Sequence, residues 1–135
     1  MNRYTLTCSA EQAALLVRAL DLYSRIGIGQ FEEILNVYDA QHTMEVSLRQ
    51  DARLAINEAK ALAGHPDSGS YGIHSPEVRD EFRAAFDLQR VIRHRLAFDR
   101  KPEGDIMVDF DTPYQISKTP LATITSSQCL TEETP

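Results

Sequence analysis

At 135 residues with a 42% hydrophobic share, the chain is long enough for one domain with its own core, unsupported by metal or disulfide. A formal net charge of −6 argues against general nucleic-acid binding. No apolar run approaches the roughly 18 residues that span a bilayer.

The opening stretch MNRYTLTCSA lacks the apolar core of a signal peptide, so the expected compartment is the cytoplasm. Cys8 and Cys129 sit near opposite ends, outside any CxxC or Cys/His cluster. Both read as free thiols, Cys8 in the core and Cys129 in a tail.

Residues 3–8 alternate, with Tyr4, Leu6 and Cys8 on one side and Arg3, Thr5 and Thr7 on the other, the period of a half-buried strand. Ser9-Ala10-Glu11-Gln12 then has the form of a capping box. Ala13, Leu16, Val17 and Leu20 follow helical spacing, to an end near Arg25-Ile26-Gly27. Gly27 and Gly29 make an unusual joint, suited to a phosphate-facing loop or to a tight corner between helices; no strand precedes it, which favours the corner. A second helical pattern runs through Phe31, Ile34, Leu35 and Tyr38.

A third helix is expected from about Thr43 to Ala63. Its apolar stripe of Leu48, Ala52, Ala55, Ala59 and Leu62 is expected to be buried in close helix–helix packing. Gly64 caps it and Pro66 stops it. The loop 64–75 is rich in Gly and Pro, yet Tyr71 and Ile73 suit an ordered loop that they anchor. Ser75-Pro76-Glu77 reads as a helix start, opening a fourth helix to about Asp99. Val78, Phe82, Ala85, Ile92 and Leu96 share one face of it; Arg79, Arg83, Arg90, Arg93 and His94 gather on another. Ile106, Val108 and Phe110 alternate as a second strand.

The expected fold is therefore α+β, mainly α: about four helices, with a small antiparallel two-stranded ribbon from the N- and C-terminal segments. Residues 1–111 form a single globular domain and 112–135 a Thr/Ser/Pro-rich C-terminal tail with little to pack. Two short strands are marginal alone, which points to a homo-oligomer.

Charge is unevenly spread. Residues 79–101 hold seven Lys and Arg against four acids, a balance of +3 that leaves −9 on the remainder. The N-terminus of the fourth helix offers free amides, and the preceding loop lets backbone approach. The ligand-binding candidates are Gly69, Tyr71, Gly72, His74, Arg83, Arg90, Arg93 and His94. The glycines would admit a ligand, Tyr71 would stack on a base and the arginines would clamp phosphate. The competing reading is a solvated Arg-rich face paired with acids such as Glu32, Glu33 or Glu58.

Two catalytic readings are weaker. His65, His74 and His94 with Asp109 or Asp111 lack metal-ligand spacing, so isolated histidines explain them and no metal or cofactor is expected. Asp109 and Asp111, about 7 Å apart on one strand face, are accounted for by a solvated edge or salt bridges. No serine stands in a nucleophile elbow.

At residues 20–35, LDLYSRIGIGQFEEIL, and in GSYGIHSPEV, DLQRVIRHRLAFDR and GDIMVDFD within 69–111, the chain resembles a family of small proteins encoded by tailed bacteriophages and prophages. The resemblance carries no catalytic residue. It implies a setting, the cytoplasm of an infected bacterium, where small accessory proteins block host defence, some by sequestering cyclic-nucleotide immune signals. The function so implied is a non-enzymatic binding protein for a phosphate-bearing small molecule. The alternatives are a protein-binding inhibitor or regulator of a host factor, and a metal-dependent phosphodiesterase using His74, Asp109 and Asp111.

Overall fold

The structure, a computed structural model, describes residues 2–39, 44–65, 69–101 and 114–127. Within them the chain is mainly helical, with α1 (Ala10–Gly27), α2 (Glu33–Asp39), α3 (Val46–Leu62) and α4 (Asp80–Arg100). There is no strand among the described residues. The expected partner strand, 106–110, lies outside them.

Residues 2–8 are extended but solvated, Tyr4 being 91% and Leu6 72% exposed. Cys8, expected in the core, is exposed as well, because nothing described lies against that alternating face. Cys129 lies outside the described residues. The capping box does form: Gln12 N–H donates to Ser9 Oγ at 3.1 Å, and Ser9 N–H to Gln12 Oε1 at 2.8 Å. Satisfying two end amides at once fixes where α1 begins.

The core lies where α1 and α4 pack along each other, around Ala13, Ala85, Val91, Ile92 and Ala97. Small residues let the two backbones come close. Gly27 is the tightest point, since a methyl group there would overlap the Phe82 ring. Phe82 stacks on Tyr23 with centroids 5.1 Å apart.

α4 starts at Asp80, four residues after the expected Pro76. Residues 75–78 instead form a turn, closed by Val78 N–H donating to the Ser75 carbonyl at 3.0 Å. The Ser75 hydroxyl does accept from Glu77 N–H, at 3.3 Å, but Val78 is driven into the core at 2% exposure and the chain bends before the helix begins.

α3 inverts its expected orientation. Most of the stripe foreseen as buried is exposed, Leu48 at 55% and Leu62 at 84% together with Ala55 and Ala59, while Ala52 is half-buried. Polar pairing sets this rotation. Arg49 bonds to Asp39 and Asn36 of α2, and Lys60, 2% exposed, donates to the Gly69 carbonyl. These directional bonds turn the Arg49–Lys60 face inward and leave the apolar one to solvent.

Residues 114–127, read from sequence as having little to pack, are docked on α4 by three of its acids. The buried Asp87 carboxylate accepts from Ile116 N–H at 3.0 Å and Ser117 N–H at 2.9 Å. Asp80 accepts from Lys118 N–H at 3.1 Å, and Asp99 from the Ser126 hydroxyl at 2.9 Å. The Asp80 carboxyl is held below the usual carboxylate range chiefly by the Lys118 amide, helped by Arg83 and opposed by partial desolvation.

A depressed carboxylate stabilises the fold above its unfolded pKa, and that contribution is lost as pH falls through the folded value. For Asp80 the loss falls below about pH 4. Melting curves of the parent and of Asp80→Asn are therefore expected to converge below that pH. Curves that stay parallel into acid would contradict the assignment.

Candidate functional site

A hollow of about 340 Å³ opens between the α1–α2 joint and the loop that follows α3. That volume is at the lower end of what small-ligand sites enclose. Arg25 enters from the last turn of α1, Gly29 and Gln30 from the joint, and Glu32 and Glu33 from the start of α2. Lys60 comes from the last turn of α3, and Gly69 and Ser70 from the loop.

Local chain geometry holds this wall in place. Gly29 has φ +93°, a conformation costly for any residue with a Cβ, and Gln30 N–H folds back to the Arg25 carbonyl at 2.9 Å. A methyl on Gly29 would also overlap the His65 imidazole. His65 stacks on Tyr71 with centroids 4.8 Å apart, and Tyr71 N–H donates to the Ile28 carbonyl at 2.8 Å. Joint, His65 and Tyr71 thus clamp the loop against the end of α1.

The charges inside are balanced. Arg25 donates to Asp21 at 2.8 Å and Gln30 at 3.0 Å, with Glu33 at 3.7 Å. The Lys60 ammonium meets the Gly69 carbonyl at 2.5 Å and lies 6.0 Å from the centre of the Phe31 ring. Two cations, a hydroxyl and an amide can donate to phosphate oxygens; the carboxylates of Glu32 and Glu33 can accept from sugar hydroxyls.

The residues foreseen from sequence fall into separate places. Gly69 lines the hollow, and Tyr71 stands behind it through its stack on His65. Gly72 closes a turn by accepting from Ser75 N–H at 2.9 Å, and His74 is exposed beside it. Arg83 is not presented as a free clamp. Its guanidinium donates to Asp80 at 3.2 Å and to the Ile73 and Ser75 carbonyls at 3.1 and 3.4 Å, tying the loop to α4.

Further along α4, Arg90 lies over the Phe86 ring at 5.6 Å and His94 over Phe98 at 4.6 Å, while Arg93 is exposed. None of the three lines the hollow. Sequence reasoning missed Arg25, Gln30 and Lys60. The glycine joint was their nearest signal; a lone lysine between Ala59 and Ala61 offers none.

A second hollow, about 280 Å³, lies between α1, α4 and residues 117–122, walled by apolar groups including Leu20, Tyr23, Leu88 and Leu121. Among the described residues no three or more His, Cys, Asp or Glu gather as a metal site, and no helix is long and apolar enough to cross a membrane. Asp109 and Asp111 lie outside those residues. In comparisons with family models, curated proteins and solved structures, the chain matches none.

Proposed function

We propose that this chain is a non-enzymatic protein that captures a phosphate-bearing small molecule, of the cyclic-nucleotide class used as immune signals, in the cytoplasm of a phage-infected bacterium. One observation carries the reading: Arg25, Lys60, Glu32 and Glu33 converge with the backbones of Gly29 and Gly69 on one hollow. Cations beside carboxylates suit a ligand that joins phosphate to sugar hydroxyls. In this reading Tyr71 and His65 stand behind the hollow and brace the loop that carries Gly69 and Ser70. The protein works as a homo-oligomer.

A second reading, an inhibitor or regulator bound to a host protein, is favoured by the apolar side chains exposed on α2 and α3, among them Val37, Tyr38 and Leu54.

A thermal-shift screen against cyclic mono-, di- and trinucleotides and cyclic ADP-ribose isomers tests the first reading. A ligand at 100 times its dissociation constant is expected to stabilise the fold by about 2.7 kcal/mol and to be recovered intact by chromatography. Arg25→Ala is expected to weaken binding by roughly 10- to 100-fold, the loss of a charged hydrogen bond. The paired change of Arg90 and Arg93 to Ala should leave binding in place. The opposite pattern would move the site to α4, and absence of any shift would leave the host-protein reading in front.

A further inference from the structure

We infer that the polar hollow reads the ribose and the phosphate of its ligand and leaves the base outside. It then separates ribose from 2′-deoxyribose and is indifferent to which base is attached. The inference rests on the capture reading above and narrows it to the part of the ligand that is recognised.

The make-up of the wall carries it. Of the described residues lining the hollow, six bring charged or polar side chains and two are glycines. None of them is aromatic or aliphatic, and a base held by its face needs such a surface to lie on. The rings of this region are placed elsewhere: Tyr71 stacks on His65 behind the loop, and Phe31 lies 6.0 Å from the Lys60 ammonium without lining the hollow. At about 340 Å³ the space is also near the lower limit for a whole small ligand and suits part of a nucleotide.

The acids select the sugar. A carboxylate only accepts hydrogen bonds, so Glu32 and Glu33 repel phosphate oxygens and call for O–H donors beside them. Glu32 meets Arg53 at 3.7 Å and Glu33 meets Arg25 at 3.7 Å, while Asn36 donates to the other Glu33 oxygen at 3.1 Å. Each carboxylate keeps lone pairs for a ligand hydroxyl.

Charge sets the form of the phosphate. Arg25 and Lys60 do no more than balance the two acids, which suits a phosphodiester with its single charge better than a free phosphate with two. A ribose 3′,5′-cyclic phosphate has that one charge and presents its 2′-hydroxyl as the donor for the acids.

Calorimetric titration of the full chain with the 3′,5′-cyclic monophosphates of adenosine, guanosine, cytidine and uridine tests this. The four are expected to bind within about threefold of one another. The 2′-deoxyadenosine compound should bind roughly 10- to 100-fold more weakly, the loss of a hydrogen bond to a charged group. In the double variant Glu32→Ala with Glu33→Ala, its helicity by circular dichroism unchanged, the adenosine and 2′-deoxyadenosine compounds should bind alike.

A preference of about tenfold or more for one base overturns the inference, and weakened binding of that compound by Arg25→Ala would show that the capture reading survives it. Equal binding of ribose and deoxyribose compounds by the parent chain overturns it too. Should cyclic dinucleotides shift melting in the screen above while no mononucleotide binds, more than one ribose phosphate is being read, and only the inference falls. Binding of no nucleotide at all removes both.

Discussion

Asp87→Ala is expected to lower stability by about 2–4 kcal/mol, because it strips two backbone amides of their acceptor at a largely buried site. Asp87 is 3% exposed, and its two carboxylate oxygens accept separately from Ile116 and Ser117. Water cannot easily replace either bond while residues 114–121 stay docked. The segment must leave α4 or keep two unmet donors, and either course opens the apolar wall around Leu20, Tyr23 and Leu121. Melting should fall by roughly 10 °C. Asp87→Asn retains one acceptor and should lose about half as much. Hydrogen exchange read at Ile116 and Ser117 separates this cause from general destabilisation, since those amides should lose protection before the α1–α4 core does. Unchanged protection at both would refute the docking role.

Gly27→Ala should destabilise the protein by about 1–3 kcal/mol, although alanine is the better helix former by nearly 1 kcal/mol. The added methyl falls on the Phe82 ring, where the rigid aromatic meets Gly27 with its ring root and not a flexible tip. Relief requires α1 and α4 to separate, or Phe82 to leave its stack on Tyr23. In a double-mutant cycle with Phe82→Leu, the two changes should therefore couple favourably, the second recovering part of the loss from the first. Additive effects would mean that Gly27 matters for another reason. Melting temperatures of the four proteins decide it.

Much of the helical framework was legible because its causes are local. The Ser9–Gln12 box and Gly64 after α3 act within one turn, so spacing alone locates them. Gly27, expected to cap α1, is instead its last helical residue before the Ile28 cap and is set against Phe82 of α4. α4 was found but misplaced at its start: Ser75-Pro76-Glu77 satisfies a helix-start pattern, while the burial of Val78 is a tertiary demand the pattern does not contain. The candidate site was legible in outline. The glycine joint and the loop carrying Gly69 and Tyr71 were both noticed, yet as two features 40 residues apart in sequence. Only the Tyr71–Ile28 hydrogen bond and the His65 ring over Gly29 bring them to one wall.

The α3 helix shows the limit most clearly. Its periodicity established that an apolar stripe exists, and it does, at the spacing expected. Periodicity has no information on which way a helix is turned. That was decided by Arg49 reaching Asp39 and Asn36, and by Lys60 reaching Gly69. These bonds depend on geometry and link α3 to groups outside it, 9 to 13 residues away along the chain. The docking of residues 114–127 has the same origin: Asp80, Asp87 and Asp99 look in sequence like ordinary helix acids, and only the fold brings them their partners. Sequence by itself determined that four helices form, where the Ser9–Gln12 cap opens α1, and that α3 carries an apolar stripe, all short-range effects of propensity and spacing. The tertiary structure alone decided which faces meet and which charges are enclosed, because directional polar contacts between distant residues outweighed the apolar pattern.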